Sequence, residues 1–111
     1  MKSTVENVVE SLLACGGTRR ETERRLAELA IGVVAALRQA SITPEQAYDD
    51  LFNLDAYQAI KRNRLDRNLK ELFEWGMEIE DVAEIAPQGL ERTYKAIEKL
   101  AQRVLARSAR R

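Results

Sequence analysis

The chain has 111 residues, 18 basic and 18 acidic side chains, one cysteine and no histidine. Zero net charge argues against an electrostatic grip on nucleic acid by the whole molecule, and a lone cysteine excludes an internal disulfide and suits a reduced, cytoplasmic protein. The absence of histidine removes the commonest general base and the commonest metal ligand.

The N-terminus has no cationic region followed by a long apolar run, so no signal peptide is expected. Ser3 and Glu6 match an S-x-x-E capping box. Val5, Val8, Val9, Leu12 and Leu13 follow at helical spacing, and Gly16-Gly17 ends this first helix. Thr18 and Glu21 make a second capping box for a helix running to about Ala40, with a mixed-charge first turn from Arg19 to Arg25. Ten of the twelve residues from Leu26 to Leu37 are apolar, interrupted only by Glu28 and Gly32. A helix apolar all round is a buried one, and this run is too short to span a membrane. It is therefore expected as the central rod of the fold. Gly32 costs about 1 kcal/mol against alanine inside a helix, and the close approach of a neighbouring helix is the expected compensation.

Thr43-Pro44-Glu45-Gln46 starts a short helix with Ala47, Tyr48, Leu51 and Phe52 inward, Thr43 capping and Pro44 in the first position. Asp55 is expected to cap a short helix holding Tyr57 and Ile60. Asp66 is expected to cap the next, whose apolar stripe is Leu69, Leu72 and Phe73 and whose stop is Gly76. Glu80 to Ile85 forms one or two turns closed by Pro87. The last helix runs from Leu90 to about Arg107, with Leu90, Tyr94, Ile97, Leu100, Ala101, Val104 and Leu105 toward the core. No segment alternates as a strand would. Start signals and apolar pattern agree throughout, so the expected fold is one all-α domain over residues 1–111, a compact bundle of five or six helices around a buried central helix.

Pro44-Glu45 ahead of Leu51-Phe52, then Gly76-Met77-Glu78-Ile79-Glu80-Asp81-Val82, then Pro87 and the closing helix from Leu90 carry a resemblance. Residues 42–100 resemble an uncharacterised family of short bacterial all-helical proteins, a domain of unknown function. The resemblance implies a compact helical protein and transfers no catalytic residue. The Arg19–Arg25 turn and the tail after Leu105 lie outside this pattern.

Few groups suggest chemistry. Cys15 closes the first helix at its C-terminus, where the dipole disfavours a thiolate, and reads as a small structural hydrophobe. Glu71, Glu74, Glu78, Glu80, Asp81 and Glu84 form an acidic run without the alternating ligands of a calcium loop; a solvated face, or docking of a basic surface, is the better reading. Lys61, Arg62, Arg64, Arg67 and Lys70 read as a solvated loop diluted by Asp55 and Asp66. A helix-turn-helix over Glu80–Leu100 fails in both registers tried. With Ala83 at the small position the turn glycine falls on Pro87, and with Gly89 in the turn the small position falls on Ile85.

Two features remain. Phe73 and Trp75 near Gly76 are candidate interface residues, because aromatic side chains anchor interfaces. Arg92, Lys95, Lys99, Arg103 and Arg107, with Arg110 beyond them, recur every three or four residues and share one face of the last helix. That face reads as solvated, as docking on the acidic run in the same chain or a second copy, or as a polyanion or partner site; it has no aromatic residue to stack bases. The expectation is a small, non-enzymatic cytoplasmic interaction or regulatory protein with a protein partner or a second copy. No catalytic, cofactor or metal residues are assigned, and no membrane association is expected. The alternative is a nucleic-acid-associated helical regulator using the basic C-terminal helix.

Overall fold

The structure, a computed structural model, describes residues 7–109, and all its elements are helical. They are α1 (Val8–Ala14), α2 (Arg19–Arg38), α3 (Pro44–Asp50), α4 (Leu54–Arg62), α5 (Arg67–Met77), α6 (Ile79–Ile85) and α7 (Leu90–Ala109), with a 3-10 turn over Pro87–Gly89. The all-α bundle is as expected. The short helix around Tyr57 is present as expected, and the segment expected as one or two turns from Glu80 to Ile85 closes as a helix of its own, so the described residues form seven α-helices.

Local chemistry sets most helix starts. The Thr18 hydroxyl accepts from the Glu21 N–H at 3.1 Å, and the Glu21 carboxylate accepts from the Thr18 N–H at 3.0 Å. Thr43 and Gln46 repeat this reciprocal pairing at 3.1 and 2.8 Å, with Pro44 in the first turn. Asp66 caps α5 by accepting from the Asn68 N–H at 2.8 Å. Asn53, rather than Asp55, caps α4. Its side-chain oxygen accepts from the Ala56 N–H at 2.9 Å while its amide donates to the carbonyls of Tyr48 and Asp49. Asp55 falls two positions after the cap, in the first turn, where a negative charge suits the helix dipole. Asn7 caps α1 by accepting from the Glu10 N–H; the Ser3–Glu6 capping box lies outside the described residues.

The ends are equally local. Gly16 takes a φ of +83° after α1, as its lack of a Cβ allows. α2 stops at Arg38 because Ala40 turns left-handed, at φ 58°, and the Ser41 N–H bonds back to the Ala36 carbonyl at 2.9 Å. Gly76 does not stop α5, which continues to Met77. It is buried, and a Cβ there would drive into the Phe52 ring. The glycine is present for close packing rather than for termination.

α7 lies along both α2 and α5. It runs antiparallel to α2, since Arg38 meets Glu91 and Glu98 at one end while Arg20 reaches the Arg107 carbonyl at the other. The core combines Leu26, Ala30 and Val34 of α2, Leu69, Leu72 and Phe73 of α5, and Ile97, Ala101 and Val104 of α7. Phe52 enters from the α3–α4 turn and packs edge-on against Phe73, ring centroids 5.3 Å apart. α2 is not buried all round. Leu26, Ala27, Ala30, Val34 and Leu37 face inward, but Leu29 is 42% exposed and Gly32 is exposed. Among the described residues no atom of another helix lies within 4 Å of where a Cβ of Gly32 would stand, so the expected close approach is not found there. α7 covers one side of α2, and among the described residues nothing packs over the opposite side at Gly32.

Candidate functional site

The uncovered side of α2 forms the floor of an apolar groove. Leu29, Gly32, Val33 and Ala36 follow one another at helical spacing, and Leu12 of α1 and Ile42, beyond the end of α2, make the walls. The cavity is about 530 Å³, and Arg25, Glu28 and Asp50 stand at its rim. The missing side chain of Gly32 leaves the floor open at its middle. Sequence reasoning had the apolar run but not the groove. A continuous apolar stretch looks the same whether a bundle surrounds it or covers only half of it.

The basic residues of α7 all lie on its exposed surface. Arg92, Lys95, Lys99 and Arg103 have no ion-pair partner within 4 Å among the described residues; Arg107 pairs with Asp66 at 3.3 Å. Arg110 lies outside the described residues. Arg38 takes both Glu91 and Glu98, and Lys95 acts on Glu91 only as a weaker, through-space charge. The Arg38 guanidinium meets Glu91 at 2.6 Å and Glu98 at 3.0 Å, and it also stands over the Tyr94 ring, 5.6 Å from the centroid. The Arg38 hydrogen bond holds the Glu91 carboxyl below its ordinary range, and the two carboxylates push the Arg38 guanidinium higher still. This clamp fastens the end of α2 to the start of α7. It could not be read from the sequence, since it depends on the register between two helices more than 50 residues apart.

The remaining candidates separate. Phe73 is fully buried against Phe52, so it belongs to the core and offers no interface. Trp75 is half-buried and packed against the core edge. Cys15 is exposed at the C-cap of α1, so it is not the packed small hydrophobe expected there. The acidic run is dispersed. Glu74 accepts from the Tyr57 hydroxyl at 2.6 Å and pairs with Lys70 at 3.5 Å, and this hydrogen bond raises the Tyr57 phenol above its ordinary value. Arg103 faces Glu71 and Glu74 across a pocket of about 490 Å³ without closing an ion pair. The basic stretch in the middle of the chain is likewise divided rather than a loop. Arg62 pairs with Glu10, Lys61 sits 5.2 Å over the Tyr57 ring, and Arg67 and Lys70 begin α5. Among the described residues no group of three or more acidic or thiol side chains could hold a metal ion, and no helix is long and apolar enough to cross a membrane.

Fold and surface together define an all-α protein with a half-covered central helix and a separate cationic face. A family model described as "Protein of unknown function (DUF3969)" matches residues 17–111, and the chain belongs to that family. The match takes in the Arg19–Arg25 turn and the tail after Leu105, which lay outside the motif-based resemblance. Comparisons with curated proteins and with solved structures give no match.

Proposed function

We propose that this chain is a small, cytoplasmic, non-enzymatic interaction or regulatory protein that docks an apolar helix in the α2 groove, and that the occupant is α2 of a second copy. The observation that carries this reading is the groove-floor row of exposed Leu29 and Gly32 with half-buried Val33 and Ala36. Its spacing makes it at once a groove floor and an apolar helix face, so two copies fit antiparallel about a two-fold axis. Gly32 at the crossing lets the backbones approach, which offers a return for a residue that is unfavourable in an isolated helix. The rim carries both signs, Arg25 against Glu28 and Asp50. A two-fold interface sets a patch against itself, and a mixed rim can pair there where a single-sign rim would repel. The aliphatic floor buries side chains and supplies no acid–base pair.

Sedimentation equilibrium at high micromolar concentration tests it. The parent chain is expected at about twice its 12.6 kDa mass, and Leu29→Glu, which puts a charge on an already exposed position, is expected at the single mass. A monomeric parent at that concentration refutes the self-docking reading.

A second reading rests on the cationic face of α7, exposed at Arg92, Lys95, Lys99 and Arg103. Such a face holds phosphate backbones without reading bases. Binding to duplex or single-stranded nucleic acid is expected to be weak and non-specific at physiological salt. Tight binding that weakens steeply with salt, and collapses in Lys99→Glu with Arg103→Glu, puts the nucleic-acid role first.

A further inference from the structure

A second, polar pocket of about 530 Å³ lies where α2 and α5 begin and α7 ends. Four guanidiniums from three elements line it: Arg19 and Arg20 of α2, Arg67 of α5 and Arg107 of α7. Two carboxylates stand among them, Glu23 and Asp66, and both are committed. Glu23 accepts from the Asp66 N–H at 2.8 Å and lies 3.6 Å from Arg19. Asp66, only 4% exposed at its side chain, caps α5 through one oxygen and pairs with Arg107 through the other at 3.3 Å. Four cations against two anions leave an excess of two positive charges in one pocket.

Arg19 and Arg20 are also held in place. Arg19 donates to the Arg64 carbonyl, and Arg20 donates to the Arg107 carbonyl at 3.0 Å. A carbonyl orients a guanidinium without neutralising it, and each guanidinium has five N–H donors, most of them still unused. Arg67 has no side-chain partner among the described residues. The neighbouring pocket, which shares Arg67, sets three cations against two carboxylates, Glu71 and Glu74, so the larger excess lies in the first. The positive ends of α2 and α5 add to the same field.

We propose that this pocket binds a small, multiply charged oxyanion, a phosphate or pyrophosphate group borne by a small molecule. Planar guanidiniums anchored from several directions suit its oxygens, which accept paired N–H donors. The pocket uses different residues from the α2 groove, so it stands or falls independently of self-docking.

The test is a titration of the isotopically labelled full chain with sodium pyrophosphate, against sodium chloride at equal ionic strength, followed by NMR. Saturable shifts are expected at the Arg19, Arg20, Arg67 and Arg107 side chains, with Arg92 at the far end of α7 unmoved. Arg67→Glu is expected to weaken binding at least tenfold, and Arg92→Glu to leave it unchanged. A parallel titration with a nucleoside diphosphate separates the sources: tighter binding than pyrophosphate points to a nucleotide, equal binding to the phosphates alone. Shifts spread evenly over all exposed cations, or pyrophosphate binding to Arg67→Glu as tight as to the parent, overturns the proposal. Should Arg67→Glu not fold, Arg67→Gln is held to the same criterion.

Discussion

Two glycines inside helices should respond to the same substitution with opposite signs. Replacing a helical glycine by alanine is worth about 1 kcal/mol where the new methyl has room. At Gly32 nothing among the described residues lies within 4 Å of the added Cβ, so Gly32→Ala is expected to stabilise the monomer by about that amount. At Gly76 the Cβ would stand 2.8 Å from Phe52 Cδ2 and closer still to Cγ and Cδ1. That ring cannot swing aside, because it is fully buried and held edge-on against Phe73. Overpacking of this kind costs about 1–3 kcal/mol; the overlap places Gly76→Ala toward the upper end, and the propensity gain offsets part of it. A net loss of about 1–2 kcal/mol is expected from these two terms. Urea midpoints, measured at a protein concentration where the chain is monomeric and with unchanged slopes, read both values. A lowered midpoint for Gly32→Ala, or a raised one for Gly76→Ala, refutes the reasoning. Gly32→Leu, which a neighbouring helix would have penalised, is expected to leave the monomer midpoint near the parent's.

Ala40→Gly should stabilise the fold by about 1 kcal/mol, because Ala40 occupies a left-handed conformation after α2 that penalises a Cβ; thermal unfolding measures it. Arg38→Met should loosen the α2–α7 clamp and lower the urea midpoint, with a smaller loss at high salt. The Glu91 carboxyl is held low by Arg38. Its contribution is therefore present above the ordinary carboxylate range and lost as pH falls through the lowered value, so the gap between parent and Arg38→Met should narrow in acid. Tyr57 runs the other way, its phenol raised first by the Glu74 hydrogen bond and then by burial. That contribution is present below the ordinary phenol value and lost as pH rises through the raised one. An ultraviolet titration of Glu74→Gln should show one tyrosine ionising at lower pH than in the parent.

What the sequence determined by itself is local. Helix starts at Thr18, Thr43 and Asp66, and the turn at Gly16, follow from side chains bonding to backbone within three residues, or from a single residue lacking a Cβ. The apolar spacing of α7 settled which face it buries. Other features depend on which neighbours the fold brings together. Gly76 had the signature of a stop and is a packing site for Phe52, which lies on the far side of α4 in the chain. Phe73 and Trp75, two residues apart in sequence, differ in that Phe73 is fully buried and Trp75 lies at the core edge. The apolar run of α2 had enough hydrophobic surface for burial on all sides, but composition cannot count how many helices arrive to cover it. Here one side meets α7 and the other is left as a groove. The arginine pocket is invisible for the same reason: Arg19, Arg67 and Arg107 are far apart in the chain, and only the meeting of three helix ends brings their charges together.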